Sequence, residues 1–416
     1  MNSSLVFSYE VLNKVYKEGA YLSVALPPTL SFLDAKDKAK VTRIVYGVVE
    51  KHEEFSYALS LLCKKNPRPN IRVLLRVGMY LIKYSDSFPE YAAVNEIVEL
   101  TKAYKRESAG FVNATLKAYI KIKDEKPKEK FARLSYEYGY PEWLIREYFE
   151  EYGEEEGMKL ISPKIKNVHI RLNSLLPDRK LKDILEKKGK KTPYGYLVSS
   201  TDAYAPYIVE GKATVTALDS VRICKVLCPD KAEGDVLDVC AAPGGKSVYL
   251  AENNRNVTVY AQDVHPHRVE LIRKYAERMK VENIRERVAD SREIIPEYIG
   301  KFSYVLVDAP CSGVGVVGNN PDILINKTAE NVEELITLQK ELLSVASSYV
   351  KVGGRLVYST CSNLKIEDEE VVSAFLKNRD DFVPTQSPEI GGCQYTFKND
   401  EEGNDGFFVA LMTRIK

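Results

Sequence analysis

The sequence predicts a doubly wound α/β domain, a mainly parallel sheet with a closing antiparallel strand, preceded by an all-helical module and a small α+β linking segment. Three observations carry this. From about residue 212 onward, short β-rich runs alternate with helical stretches, as parallel strands joined by crossover helices require. The first of these units, Val236-Leu-Asp-Val-Cys-Ala-Ala-Pro-Gly-Gly-Lys-Ser247, runs from an apolar strand through a Pro-Gly-Gly turn into a helix. Residues 1 to about 125 carry helical periodicity alone.

A chain of 416 residues accommodates two or three domains, and the pattern shifts place them at 1–125, 126–211 and 212–416. Lys and Arg number 60 against 59 Asp and Glu, a net charge of +1, so any nucleic-acid contact must come from local patches and not from a global basic field. The seven cysteines contain no Cys-x-x-Cys pair and the four histidines form no ligand set, so no metal is expected. Free thiols, and a start that lacks a basic stretch before its apolar one, predict the reducing cytoplasm. No apolar run approaches the roughly 18 residues of a membrane span. A monomer is the default expectation.

In the helical module, Leu5, Tyr9, Leu12, Val15 and Tyr16 form one apolar stripe and residues 34–49 a second amphipathic helix. Pro67 and Pro69 punctuate before a helix over 71–82, Pro89 precedes one over 91–102, and Gly110 begins the last. The module offers no His or Cys constellation for catalysis. It does carry Lys64, Lys65, Arg68, Arg72 and Arg76, for which a solvated helix face is the simpler reading and an RNA contact the sharper one.

Lys117 to Arg133 is charge-dense around Pro127 and reads as a linker. Pro141 then sits near the first turn of a new helix, and the stretch to about 210 mixes two helices with strands such as 167–172. Lys180 to Lys191 is strongly basic and fits either a solvated helix or an RNA track.

In the α/β domain, Asp263 ends the second strand (257–262), Asp290 follows the third (284–288), and Asp308 ends the fourth (304–308). Helices over 266–279 and 331–349 fill the intervals, and Gly353-Gly354 turns into strand five (355–360). Residues 391–397 and 405–412 read as a closing antiparallel pair.

Two chemistries use a glycine turn of this kind. A phosphate loop needs Gly-x-x-x-x-Gly-Lys-Ser/Thr, and Gly245-Lys246-Ser247 fits, but Cys240 stands at the first glycine position. The alternative is a nucleoside site of S-adenosylmethionine type. Acids at the ends of successive strands, Asp263, Asp290 and Asp308, suit an uncharged nucleoside rich in hydroxyl and amino donors and would repel a polyphosphate. The nucleoside reading is preferred over an NTPase.

Strand four ends in Asp308-Ala-Pro-Cys311 and strand five in Ser359-Thr-Cys361-Ser362. A doubly wound sheet makes these strands neighbours, so both thiols should meet beside the cofactor. Methylating an amino group needs no thiol. Methylating carbon 5 of a pyrimidine does, because C5 is a poor nucleophile until a thiolate adds to C6 and turns the ring into an enamine. An acid such as Asp308 favours that addition by hydrogen bonding at N3, and Lys246 is the nearest motif cation that could hold the nucleophile as a thiolate.

Pro89 to Lys102 and Gly110-Phe-Val-Asn-Ala-Thr-Leu116 resemble the signatures of the NusB-type RNA-binding helical fold. The rest resembles the RNA cytosine-5 methyltransferases, whose core is a Rossmann-like methyltransferase fold. The motifs are Cys240-Ala-Ala-Pro-Gly-Gly-Lys246, Asp308-Ala-Pro-Cys-Ser-Gly313, Asn320-Pro-Asp322 and Ser359-Thr-Cys-Ser362. With the NusB-like module in front, the resemblance extends over nearly the whole chain to bacterial members that act on 16S ribosomal RNA. It implies S-adenosyl-L-methionine as methyl donor, Cys361 as nucleophile, and Cys311 as an assistant in product release. DNA cytosine enzymes use the Pro-Cys position as nucleophile instead, so two cysteines favour RNA. The cofactor would be held by Cys240, Ala241, Ala242, Pro243, Gly244, Gly245 and Lys246, with Asp263 on the ribose, Asp290 on the adenine amino group, and Asp308.

The chain departs from the family pattern at Gly318-Asn319, where basic residues are usual, at Thr216-Ala-Leu-Asp-Ser220, and at Glu367-Asp-Glu369, where Glu-Asn-Glu is usual. The competing class is an RNA- or ribosome-binding protein with a vestigial cofactor pocket, against which an intact pair of cysteines argues.

Overall fold

The computed structural model describes residues 3–86, 88–162, 167–228, 232–377, 379–398 and 404–416. The chain divides into two compact units, one of Met1–Pro163 with Val317–Ala329, the other of Lys164–Val316 with Glu330–Lys416.

The first unit is helical throughout its described residues: α1 (Ser3–Glu18), α2 (Leu22–Leu30), α3 (Ala35–Glu50), α4 (His52–Leu62), α5 (Pro69–Tyr84), α6 (Glu90–Lys105), α7 (Ala109–Ile122), α8 (Lys130–Tyr138) and α9 (Glu142–Ile161), the last broken at Gly153. Of the expected apolar stripe of α1, Leu5, Tyr9, Leu12 and Val15 are buried and Tyr16 is half-buried. Asp34 caps α3 by accepting from the Asp37 amide at 2.8 Å, which satisfies one of the free donors of the first turn. Helix α5 is buried nearly all round, from Ile71 through Ile82, and so forms the axis against which α1, α3, α6 and α7 pack.

Two expectations change here. The presumed linker over Lys117–Arg133 is helical at both ends, since α7 continues to Ile122 and α8 starts at Lys130. Residues 126–162 also belong with the helical unit. Lys83 of α5 pairs with Glu54 at 2.7 Å and donates to the Tyr136 hydroxyl of α8 at 3.0 Å, while Tyr57 meets Tyr136 edge-on.

Residues 317–329 lie far along the chain yet join this unit. Asp322 accepts from the Leu22 amide, an orphan donor at the start of α2, at 2.9 Å, and Ile325 packs on the helical core. Asn320-Pro321-Asp322, quoted above as a family motif, therefore has a structural task in the helical fold.

The second unit holds two sheets. A small antiparallel sheet has β1 (Val168–Leu172), β2 (Lys190–Thr192), β3 (Gly195–Val198) and β4 (Ala213–Val215) in the order β2-β3-β1-β4. Helix α10 (Arg179–Lys188) buries Leu181 and Leu185 and leaves Lys180, Lys182, Lys187 and Lys188 exposed. The basic stretch thus spans the exposed face of an amphipathic helix and, with Lys190 and Lys191, the start of β2. A short helix α11 (Ala205–Val209) and α12 (Leu218–Leu227) follow.

The large sheet contains β5 (Val236–Asp238), β6 (Val259–Asp263), β7 (Ile284–Val288), β8 (Phe302–Asp308), β9 (Val350–Thr360), β10 (Phe382–Pro384), β11 (Gln394–Thr396) and β12 (Phe408–Arg414). Its order is β10-β12-β9-β8-β5-β6-β7, with β11 also paired to β12. Strands β5 to β9 are parallel; β12 closes antiparallel on β9. The expected closing pair is β11 with β12, and the short edge strand β10 carries no sequence signal of its own. Helices α13 (Gly245–Asn253), α14 (Pro266–Met279), α15 (Ala329–Tyr349) and α16 (Glu369–Lys377) connect the strands. The strand order reverses between β5 and β8, which opens a crevice at their carboxyl ends. No helix among the described residues is long and apolar enough to cross a membrane.

A buried ion pair joins the small sheet to helix α13. Arg171 of β1 donates to Glu252 of α13, and Glu252 also accepts from the Ser174 amide at 2.7 Å. Arg171→Met leaves this carboxylate without its cation in a dry site, and unfolding in urea should report a loss of about 3–5 kcal/mol. Replacing both residues with Met should recover most of that loss, because no buried charge then remains.

Candidate functional site

The loop after β5 is shaped by Gly244. Its φ of 107° lies in the region open to glycine, and a Cβ there would stand 3.1 Å from the Ile272 Cα. The Gly244 amide closes the turn on the Ala241 carbonyl at 2.7 Å, and α13 starts one residue later. The first-turn amides of Gly245, Lys246 and Ser247 have no intrahelical carbonyl to meet, so they form a donor set for a carboxylate. Ser247 pins this turn to β5 by donating to Asp238 at 2.6 Å. Burial pushes the Asp238 carboxyl up to about 7; the Ser247 bond opposes that shift and the Asp308 charge adds to it.

Beside the loop lies a cavity of about 510 Å³. Cys240, Ala242, Asp263, Asp290, Asp308, Cys311 and Cys361, all singled out from the sequence, line it together with Pro310, Leu338 and Leu342. Asp263 is almost fully buried, accepts from the His265 amide at 3.1 Å, and pairs with Arg268 at 3.2 Å. Asp290 instead makes a two-pronged pair with Arg292, at 3.0 and 2.6 Å, which holds its carboxyl below the usual range. Ala241, Pro243, Gly244, Gly245 and Lys246 form the turn itself. A mixed apolar and acidic wall facing a glycine-opened helix start fits a nucleoside with an attached amino acid, and three carboxylates make it a poor home for a triphosphate.

Parallel pairing of β8 with β9 sets Asp308 opposite Ser359. Ser359 donates to one Asp308 oxygen at 2.8 Å and Lys246 to the other at 2.7 Å. Burial draws the Lys246 pKa down, but the Asp308 charge and hydrogen bond carry it above its ordinary value, with the Cys361 charge adding to the rise. One turn beyond, the Cys311 and Cys361 sulfurs are 3.1 Å apart, and the Cys361 amide lies 3.2 Å from the Cys311 sulfur. The bond to Cys361, then burial, then the Cys361 charge push the Cys311 thiol far up. The two sulfurs are thus within hydrogen-bond reach of one another, and the Cys311 sulfur also accepts from the Cys361 amide.

One residue that sequence reasoning noted only as a departure proves central. Glu367 is fully buried between the two cysteine loops. It accepts from the Ser312 amide at 2.8 Å, the Ser312 hydroxyl, the Ser362 hydroxyl at 2.6 Å and the Gln339 amide group at 3.0 Å. Ser312 follows Cys311 and Ser362 follows Cys361, so one carboxylate fixes both thiols. The Gly315 amide donates to the Cys361 carbonyl at 3.1 Å, and a Cβ on Gly315 would lie 1.7 Å from the Gly406 carbonyl oxygen, so only glycine allows this crossing. The available signal was the acidic run 367–369 following Ser359-Thr-Cys-Ser362, which gives no hint of burial.

Comparison with known proteins agrees with this architecture. Residues 224–413 match the family model described as 16S rRNA methyltransferase RsmB/F, and residues 4–121 match the NusB family. The "Probable ribosomal RNA small subunit methyltransferase B" of Bacillus subtilis (strain 168) is 30% identical over 97% of both chains. Among solved structures, PH0851 superposes with a TM-score of 0.83 at 24% identity, covering 98% of each chain. NSun6 from Pyrococcus horikoshii, solved with the S-adenosylmethionine analogue SFG, gives 0.58 at 21% identity, covering 68% of this chain and 100% of that one.

The clamp makes a prediction independent of activity. Glu367→Gln keeps the volume but removes the charge that four donors share, and should lower stability by about 1.5–3 kcal/mol. The cysteine loops should also drift apart. Diamide should then cross-link Cys311 to Cys361 more slowly than in the wild type, as followed by mass spectrometry. Equal cross-linking rates would show that the thiols hold their positions without Glu367.

Proposed function

The chain belongs to the RsmB/F family of 16S ribosomal RNA methyltransferases, and on that premise we propose that it methylates carbon 5 of a cytosine in 16S ribosomal RNA through a covalent cysteine–C6 adduct. The observation that carries this is the pair of thiols 3.1 Å apart, lining one cavity with Asp308. Neither amino-group methylation nor RNA binding alone has use for such a pair.

S-adenosyl-L-methionine, when bound, supplies the methyl group as an electrophilic sulfonium. The chain's own residues do the rest. The α13 amides and Gly244 receive the amino acid part, and Asp263 and Asp290 offer acceptors to the nucleoside. Cys361 adds to C6 through its sulfur, with the Cys311 sulfur 3.1 Å away and in place to exchange a proton with it. Addition builds negative charge toward N3, and the Lys246–Asp308 couple is the nearest source of a proton for that atom. After transfer, the N3 proton returns to the Lys246–Asp308 couple; the C5–H electron pair then re-forms the C5–C6 double bond as the C6–S bond breaks, Cys311 taking the C5 proton while its own proton passes to the departing Cys361 sulfur. The work would take place in the cytoplasm on ribosomal RNA or a small-subunit precursor.

Substitution separates the thiols. Cys361→Ser should abolish methyl transfer and give no adduct, whereas Cys311→Ser should still methylate but stay attached to its RNA. On a denaturing gel, radiolabelled RNA should migrate with the Cys311 variant only; the reverse pattern assigns the nucleophile to Cys311. Asp263→Ala should weaken S-adenosylmethionine binding in calorimetry by about 2–3 kcal/mol, the scale of lost charge-assisted hydrogen bonds. Unchanged affinity would remove Asp263 from the cofactor site.

A further inference from the structure

The helical unit holds a second cavity, of about 530 Å³, with an electrostatic imbalance. Arg72 and Arg76 line it from successive turns of α5. Arg76 is only 5% exposed, so it is not part of the solvated face that its sequence neighbours suggest. Its guanidinium lies 4.7 Å from the centre of the Tyr16 ring and donates to the Ser56 hydroxyl at 3.0 Å, while Arg72 reaches Asn66 at 3.3 Å. The Nε atoms of both arginines are buried without a hydrogen-bond partner, and among the described residues neither guanidinium forms an ion pair.

A guanidinium taken out of water is ordinarily matched by a carboxylate, because the desolvation cost is several kcal/mol per ion. Glu53 is the acid that Arg76 feels, yet burial raises the Glu53 carboxyl and it makes no bridge. His52, bonded to the Tyr16 hydroxyl at 3.1 Å, is driven down to about 3 by burial and by Arg76 and Arg72, so it adds no charge near neutral pH. The cavity's lining thus has two forked cations, unused donors and no carboxylate, and Glu53, the nearby acid, stands outside that lining. Its wall includes Asn66 and Pro67, whose sequence neighbours Lys64, Lys65 and Arg68 are exposed.

We propose that the Arg72–Arg76 cavity is a phosphate-receiving site that holds one backbone phosphate of the RNA. Paired guanidiniums match phosphate oxygens in two-pronged fashion, which a point charge cannot do. The exposed Lys64, Lys65 and Arg68, in the segment that supplies Asn66 and Pro67 to the wall, are then available to neighbouring phosphates of the strand. The proposal rests on the RNA substrate reading for its source of phosphate, but not for the existence of the site.

The test uses the full chain and Arg72→Gln, which alters the less buried arginine; Arg76→Met serves as a second variant if circular dichroism shows it folded. Inorganic phosphate, titrated against sodium chloride at matched ionic strength, should raise the thermal midpoint of the wild type, and Arg72→Gln should lose that shift. In RNA binding, the slope of log affinity against log salt should fall by about 0.7, the contribution of one single-strand phosphate contact. Loss of the phosphate shift with an unchanged RNA slope would overturn RNA as the source and leave a site for free phosphate. Persistence of both in folded Arg72→Gln would overturn the site. If the wild type binds no RNA, the substrate reading fails, and the phosphate arm alone decides whether the site exists.

Discussion

Everything at the candidate site hangs on the parallel pairing of β8 with β9. That register sets Asp308 against Ser359, and the two chains then leave the sheet together, each carrying a cysteine. Past the last ladder bond, nothing in a sheet keeps two loops in step. Glu367 takes over that task. A carboxylate buried alone would be untenable, so the four donors from Ser312, Ser362 and Gln339 are held as firmly as the charge needs them. The same asymmetry that makes buried charge costly makes it a precise spacer.

Helix α13 extends this rigidity to the cofactor side. Ser247 ties its first turn to Asp238 at the end of β5, and Lys246 ties it to Asp308 at the end of β8. The loop that would receive the cofactor is thereby fixed to both strands that flank the topological switch. Donors and thiols arrive already placed, which is the condition under which hydrogen bonds and a nucleophile lower a barrier and do not merely bind. Lys246 serves two purposes, since its charge balances Asp308 and lies within the field of Cys361.

Much of this was legible in the sequence, because strand order follows from alternation and glycine placement. The ends of β6, β7 and β8 are marked by Asp263, Asp290 and Asp308, and the adjacency that a doubly wound sheet gives its fourth and fifth strands is enough to bring Cys311 and Cys361 together. What could not be read was burial of charge. Glu367 and Arg76 look like surface residues in a chain rich in Lys, Arg, Asp and Glu, and their partners lie 55, 28 and 20 positions away in the Ser312, Gln339 and Ser56 contacts. Asp290 shows the reverse limit, since its place at a strand end was legible but its partner Arg292, two residues on, was not weighed. Charge runs such as 117–133 invited a linker where helix propensity and the Lys83–Tyr136 contact build helices.

The segment 317–329 bears on how the helical unit should be regarded. It leaves the α/β fold after the Cys311 loop, lends Asp322 to the first turn of α2 and Ile325 to the helical core, and then enters α15. The chain therefore passes between the two units at three points, after residues 163, 316 and 329. A module joined by one linker can be removed with little consequence. Removing residues 1–125 here would leave Asp322 without the Leu22 amide and expose Ile325, in a segment whose start lies only a few residues from Cys311. A helical module built this way cannot be lost without disturbing the stretch that follows one of the two cysteines, so the chain itself ties the helical unit to the Cys311 loop.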